Sequence, residues 1–396
     1  MKQSTYNYQE IYDTVVTHLK LKNYVSYDLC DITAKPLFLG VNNIFFHKPY
    51  GKYFIFPINL LTKYFSKELR KVYNIQEMLY PQALALIARA NMLQIKSGTE
   101  KHTAELIRIL DIIDVASTKG YNNKCWGQPY DWYSGKIIPK GTPRTTVTSQ
   151  MIHTFIDAYL TLNDPRYLSI IKSACSFFET EMPRSYETEN EVCFSYTYID
   201  KKMIYNANIM AASALISGGI IAKNNDWKDL GLKCLRFTIN GQNDDGSWYY
   251  GKLPNNKPSK IDNYHTGYVL EELAVIKQIL KKDFKFNEEL NKGIDYYKNN
   301  LFENNHIPKL TPDKKYPIDI QSCAQSIKTF TTLSDINKHY LEIAEKLLNY
   351  TIENFYDKKG YFYYRKHKNW TDKNSYIRWG DAWMLFALQK FISKTK

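Results

Sequence analysis

The sequence predicts an all-α protein, an (α/α)6 barrel in which six helical hairpins close into a ring, with short β-hairpins at the end where the inner helices begin. Three observations carry this expectation: apolar helices at near-constant spacing, amphipathic helices alternating with them, and aromatic, β-prone stretches leading into the apolar ones.

Segments rich in apolar and small residues run over Pro81–Leu93, Thr148–Leu162, Asn206–Ser217, His265–Leu280, Ile320–Leu333 and Arg378–Phe391. Their starts are separated by 67, 58, 59, 55 and 58 residues, a period that marks a repeat architecture. More charged segments lie between them: Thr103–Ser117, Pro165–Met182, Asp226–Asn240, Asn287–Phe302 and Lys338–Phe355. In Asn163-Asp164-Pro165-Arg166 an Asp at the cap and a Pro at the first position give a helix start. Within Lys338–Phe355, the residues Leu341, Ile343, Ala344, Leu347, Leu348 and Ile352 fall on one face at helical spacing. Buried inner helices therefore alternate with half-exposed outer ones. The remaining outer helix is Tyr8–Leu19 or lies within Tyr24–Ile75, so residues 1–75 read as a helix and an irregular cap on a 76–396 ring. A chain of 396 residues exceeds the usual single core, but each unit of a closed ring adds its own slice, so one structural domain is expected.

The aromatic stretches are Cys125-Trp126-Gly127, Cys193-Phe194-Ser195-Tyr196-Thr197-Tyr198, Gly246-Ser247-Trp248-Tyr249-Tyr250-Gly251 and Gly360-Tyr361-Phe362-Tyr363-Tyr364-Arg365. All feed inner-helix N-termini, so they gather at one end, where the positive poles of the helix dipoles meet over a common hollow suited to an anion. The chain holds 33 Tyr and 7 Trp, residues that present an apolar face and a polar tip to sugars; A/T-rich codon usage produces the same excess.

A net charge of +13 suggests an acidic partner: an acidic glycan, a lipid diphosphate, a membrane surface or nucleic acid. Lys and Arg are spread without a run of five, which favours a solvated surface, and no nucleic-acid module with interleaved basic and aromatic residues is present. The start, Met1-Lys2-Gln3-Ser4-Thr5-Tyr6, leads into an amphipathic pattern rather than an apolar export signal. The longest near-apolar run, Ile209 to Ala222, is 14 residues, short for a bilayer, so a cytoplasmic protein with at most peripheral membrane contact is expected. Cys30, Cys125, Cys175, Cys193, Cys234 and Cys323 form no CxxC pair and no zinc spacing, so reduced thiols are expected and no metal site; Cys175 and Cys234 read as core packing. P-loop, Rossmann, HExxH and serine-elbow patterns are missing, so no cofactor is expected.

Candidate site residues cluster at the inner-helix starts. In Ile261-Asp262-Asn263-Tyr264-His265, Asp262 or Asn263 suits a helix cap, and the positive end of the helix favours a neutral His265 that can act as a general base. Asp319 is either a cap or a carboxylate facing the hollow; paired with Asp262 or Asp131 it would suit glycoside hydrolysis. Asn206 and Asn208 offer amides for sugar hydroxyls, or caps. Arg378 is a cation at a dipole-unfavourable helix start, which implies an anionic partner, either an internal Asp or a substrate carboxylate or phosphate. Trp126, Asp131-Trp132 and Trp379 could meet a sugar ring, although a Trp in a tight corner is as often plain packing, and Tyr196, Tyr249 and Tyr364 are candidate partner acids or contacts. Gln242-Asn243-Asp244-Asp245-Gly246-Ser247-Trp248 has a QxxxGxW form that resembles terpene-cyclase-like toroids, where it braces neighbouring repeats. The acidic cluster of those cyclases is missing, and Asp244-Asp245 before Gly reads as turn chemistry.

As an ordered set, CWGQPYDW, CFSYTYID with NAN, QNDDGSWYYG, IDNYHTGYVLEEL, YPIDIQ with AQ, GYFYYR and IRWGDAWM resemble a family of capsule, exopolysaccharide and O-antigen gene clusters, VpsJ-like, over residues 24–391. The chain departs from that family's pattern at Gln321, at Asp381 and at Tyr80-Pro81-Gln82. The resemblance implies a role in bacterial surface-polysaccharide assembly, on an oligo- or polysaccharide or its lipid- or nucleotide-linked precursor. An enzyme is favoured. On a uronate, Arg378 would hold the carboxylate and His265 would move the adjacent proton with Tyr196, Tyr249 or Tyr364 as acid, which is epimerase or lyase chemistry. The alternatives are hydrolysis or transfer by Asp262 and Asp319, and a non-catalytic glycan-binding assembly factor.

Overall fold

A computed structural model describes residues 6–98, 103–252 and 259–395; Met1–Thr5, part of the N-terminal reading, lie outside them. The helices, in chain order, are α1 (Tyr8–Leu21), α2 (Pro36–Phe45), α3 (Lys52–Tyr64), α4 (Ser66–Val72), α5 (Pro81–Lys96), α6 (Thr103–Val115), α7 (Thr145–Leu162), α8 (Pro165–Thr180), α9 (Tyr205–Ala222), α10 (Asn225–Ile239), α11 (Asn263–Leu280), α12 (Asn287–Asn300), α13 (Ile320–Leu333), α14 (His339–Phe355) and α15 (Ala382–Thr395). A π-helical turn, Ile377–Asp381, leads into α15.

Helices α5, α7, α9, α11, α13 and α15 pack each on the next, and α15 returns to α5, so the ring is closed. Outside it α6, α8, α10, α12 and α14 each back the inner helix before them, and α1 packs on α15. The first helix of the chain thus completes the last hairpin. The fold is the (α/α)6 barrel the spacing predicts, and the inner helices begin within three residues of their expected positions, apart from the π turn that opens the last.

Inner helices are enclosed on both sides, which is why they lack an obvious polar face. Helix α9 is buried from Tyr205 to Gly219. By length and hydropathy its 18 residues could cross a membrane, yet 78% of that window lies inside the ring. Close approach of α10 to α9 needs Gly231, where a Cβ would sit 2.8 Å from the Ala212 carbonyl oxygen. Cys175 and Cys234 are fully buried on α8 and α10.

The axis of the ring is polar. Glu271 of α11 meets Lys328 of α13 at 3.0 Å and Lys390 of α15 at 2.7 Å, and Arg89 of α5 meets Asp157 of α7 at 2.7 Å. Next to Glu271, burial and that neighbour's charge push Glu272 up to about 7, while burial and the Arg89 charge push His153 down to about 3.

Short antiparallel strand pairs gather at the inner-helix N-termini, and some join successive repeats. The lead-in to α9, Met203–Ile204, pairs with Gly251–Lys252, and the lead-in to α13, Ile318–Asp319, pairs with Arg365–Lys366. The QxxxGxW string braces this belt: Gln242 Nε2 donates to the Gly246 and Glu289 carbonyls, and Trp248 Nε1 donates to Thr238 while its ring packs on Gly293 of α12.

Candidate functional site

A cavity of about 270 Å³ opens at the mouth of the ring, and every inner helix contributes to its wall. Gln82 comes from α5, Arg144 and Thr146 from the start of α7, Asn206 and Met210 from α9, and Tyr264, His265 and Tyr268 from α11. Gln321 comes from α13, and Arg378, Trp379 and Trp383 from the π turn and α15. The connecting segments add Cys30, Gln128, Tyr130, Trp132, Tyr196 and Tyr250. The cavity is at the small end of the ~300–1,000 Å³ range of ligand pockets, a size for one sugar ring rather than a long stretch of chain. Among the described residues its wall contains no carboxylate.

Asp262 caps α11: its Oδ1 accepts the His265 backbone N–H at 3.1 Å, and its Oδ2 lies 2.8 Å from His265 Nδ1. In the neutral ring, an Nδ1–H donated to Asp262 leaves Nε2 as the basic nitrogen. Burial opposes ionisation of Asp262, but the His265 ring, its backbone N–H and Lys260 hold the carboxyl below its usual range. The rings of Tyr250 and Tyr264 flank the imidazole, with centroids 4.4 and 4.1 Å away. An aspartate-oriented histidine in an aromatic-walled cavity is equipped as a general base.

Facing the same cavity is Arg144, the N-cap residue of α7. Its guanidinium lies 4.7 Å from the Tyr196 ring and 5.6 Å from the Trp132 ring, and Nη2 donates to the Tyr196 hydroxyl. Among the described residues no carboxylate forms an ion pair with it, and Arg144 Nε is buried without a hydrogen-bond partner. Gln128 Nε2, Thr146 Oγ1 and Asn206 Oδ1 in the same wall are likewise buried and unpartnered. Buried polar groups normally find partners, so a cluster of exceptions around one cavity marks a ligand site. Its combined offer is a cation, amides and a hydroxyl, within aromatic walls.

Several expected site residues take other places. Arg378 lines the cavity but is neutralised from within: Nε and Nη2 meet Asp28 at 2.6 and 2.7 Å, and Nη2 also meets the Tyr130 hydroxyl. Burial works against both charges, yet the pairing holds Asp28 below its usual range and Arg378 well above its own. Its anionic partner is an internal Asp, one of the two readings its helix position left open, and this removes Arg378 from the role of holding a substrate carboxylate. Asp319 caps α13 through Gln321 N and accepts from Arg365 Nε at 2.7 Å, outside the cavity wall, so with Asp262 committed to His265 these two do not form the expected carboxylate pair.

Asn208 is structural: Oδ1 accepts from Phe194 N, and Nδ2 donates to the Val192 and Cys234 carbonyls. Trp126 is fully buried, its Nε1 donating to the Ile113 carbonyl as Trp248 donates to Thr238. Asp131 accepts from Lys140 N in a turn, Tyr249 is replaced at the wall by its neighbour Tyr250, and Tyr364 lies in a separate cleft under Arg365. Asn206, Trp379, Tyr196 and His265 share the cavity. The sequence reading passed over Arg144 because it began the helix at Thr148 rather than Thr145. With the right boundary, the dipole argument applied to Arg378 selects Arg144 as well.

No family model matches the sequence, and no curated protein matches it. Solved structures do share the fold. A sugar epimerase from a ruminal bacterium superposes with a TM-score of 0.63 at 13% identity, covering 82% of this chain and 90% of that one. A family 76 glycoside hydrolase, an α-mannanase of Bacteroides thetaiotaomicron, gives 0.61 at 12% identity over 81% and 87%. An unsaturated glucuronyl hydrolase specific for heparin gives 0.59 at 15% identity over 80% and 87%. At these identities the likeness establishes a shared (α/α)6 ring.

Proposed function

We propose that this protein is a carbohydrate-active enzyme that binds an acidic, uronate-type sugar residue and moves the proton beside its carboxylate, as epimerases and lyases do. One observation carries the reading: Arg144, a cation without a carboxylate partner among the described residues, shares a carboxylate-free wall with the Asp262-oriented His265. A wall of that charge favours an acidic ligand and opposes hydrolysis by two carboxylates. The fold supports it too, since its likenesses include proteins described as a sugar epimerase and a glucuronyl hydrolase.

Arg144 would hold the sugar carboxylate, with Gln128, Thr146 and Asn206 meeting hydroxyls and Trp132, Trp379 and Trp383 enclosing the ring. His265 Nε2 takes the C5 proton, and the C5–H bonding pair flows into the carboxylate as an enolate that the Arg144 cation stabilises. Return of a proton to the other face gives the epimer. Loss of the C4 substituent, with a proton delivered by Tyr196 or Tyr250, gives the unsaturated sugar. The strings that resemble surface-polysaccharide proteins support a bacterial, cytoplasmic setting, with the acidic residue part of a glycan or of its lipid- or nucleotide-linked precursor.

The test is proton exchange. Uronate-containing oligosaccharides incubated with the protein in D2O are followed by NMR for deuterium at C5 and for a 4,5-unsaturated product. Incorporation that disappears in His265→Ala supports the reading. Neither signal with any acidic glycan that binds, or incorporation unchanged in His265→Ala, overturns it.

A further inference from the structure

Helices α2 and α3 lie on the flank of the ring beside the cavity. Phe46, one residue beyond α2, packs edge-on against Tyr133 at 5.2 Å, and His47 Nε2 is 2.8 Å from the Gly135 carbonyl oxygen. Tyr133 adjoins Trp132 of the cavity wall.

Helix α3 is apolar on two opposite faces. Gly51, Ile55, Ile58 and Thr62 turn inward, with Ile58 packed on Ile32, Phe38 and Ile75. Tyr53, Phe56, Pro57, Leu60 and Tyr64 repeat at i, i+3, i+4, i+7 and i+11 on the other side, where Tyr53 is 69%, Phe56 62% and Tyr64 63% exposed. Leu37 and Ile44 of α2 and Tyr50 of the connecting turn are exposed as well. The Phe45 ring stacks on Phe54 at 4.2 Å, tying the two helices together.

An exposed apolar face three turns long marks an interaction surface, and the charges near it select the partner. Lys48, Lys52, Lys67 and Lys71, on α3 and the segments flanking it, are exposed, and Glu68 is the one acidic residue between Lys35 and Tyr73. Aromatic and aliphatic residues in the plane with lysines at the rim are what a helix at the headgroup level of an anionic bilayer requires. A second copy fits less well, because an isologous contact would bring the lysine rims together. The geometry points to α2 and α3 as a membrane-docking surface that seats the protein on an anionic lipid bilayer next to its cavity. Aromatic side chains enter the interface, and lysines bind lipid phosphates around them.

Docking is independent of the cavity chemistry and is read without turnover. The full chain is sedimented with phosphatidylcholine vesicles that contain or lack phosphatidylglycerol, at low and high salt. Binding to the anionic vesicles is expected to be about tenfold or more tighter and to weaken with salt, since lysines near the surface are drawn to anionic headgroups by a field that salt screens. Tyr53→Ser/Phe56→Ser/Leu60→Ser should lower it at least about tenfold with the melting temperature unchanged, because these side chains are solvent-exposed. Lys48→Glu/Lys52→Glu should remove most of the preference for anionic lipid. Equal binding to both vesicle types, binding unchanged in the triple variant, or a wild-type dimer that the triple variant splits without any vesicle binding would each overturn the proposal; the last would identify a contact between copies.

Discussion

His265 Nδ1 lies 2.8 Å from Asp262 Oδ2 while Asp262 Oδ1 accepts the His265 backbone N–H, so one carboxylate both starts α11 and orients the ring. The two duties separate in variants. Asn caps helices about as well as Asp, so Asp262→Asn is expected to leave the melting temperature almost unchanged. The imidazole loses its anionic partner, so turnover should fall. His265→Ala should lose roughly 10²–10⁴-fold in kcat, the usual contribution of a positioned base. Thermal melts alongside proton-exchange rates check both outcomes.

The two arginines of the cavity should behave oppositely. Arg144 has no carboxylate partner among the described residues to strand, so Arg144→Ala is expected to weaken binding of an acidic sugar while altering the melting temperature little. Arg378→Ala would leave Asp28 buried and unpaired, at a cost of about 3–5 kcal/mol. Calorimetric titration with a uronate ligand and a chemical denaturation series of both variants distinguish these roles.

Asp381 and Glu272 make stability fall as pH rises. Burial pushes the Asp381 carboxyl up to about 6 although it accepts from Ser375 Oγ at 2.5 Å and Phe362 N at 2.7 Å. Glu272 is pushed up to about 7. In both cases the folded state holds its proton where the unfolded chain has released it. Their contribution is therefore full below about pH 4 and is lost as pH rises through 6 and 7. Asp381→Asn keeps an acceptor for Phe362 N and removes the buried charge. At pH 8 it should stabilise the fold by up to about 3 kcal/mol and flatten the pH dependence of the melting temperature between 4 and 6.

Asn208→Ala tests a purely structural assignment. It orphans the Phe194 N–H and removes the amide donor to the Val192 and Cys234 carbonyls, at ~1–3 kcal/mol for each group left buried and unsatisfied. A lower denaturation midpoint with an unchanged KM is expected; a raised KM would return Asn208 to the site.

The ring was legible because its period, its apolar inner segments and its aromatic lead-ins are local patterns repeated along the chain. The Asp164-Pro165 start of α8 is a case where cap chemistry alone placed a boundary, and Asp164 accepts from Arg166 N as that reading requires. The α2–α3 region is not legible in the sequence, because a helix apolar on both faces, as α3 is at Ile55/Ile58 and at Tyr53/Phe56, shows no single stripe. For Trp126 a sugar contact and plain packing are equally open in the sequence, because burial depends on what the segment packs against, which a tripeptide does not encode.

From the sequence alone came the architecture, the end of the ring where polar residues collect, and His265 as a candidate base, since helix periodicity and dipole direction follow from residue order. Only the tertiary structure decided which charges remain available. Asp28 reaches Arg378 across 350 positions of sequence and neutralises it, while Arg144 meets no such partner among the described residues. An ion pair depends on separation in space, and in a closed ring the first and last segments are neighbours.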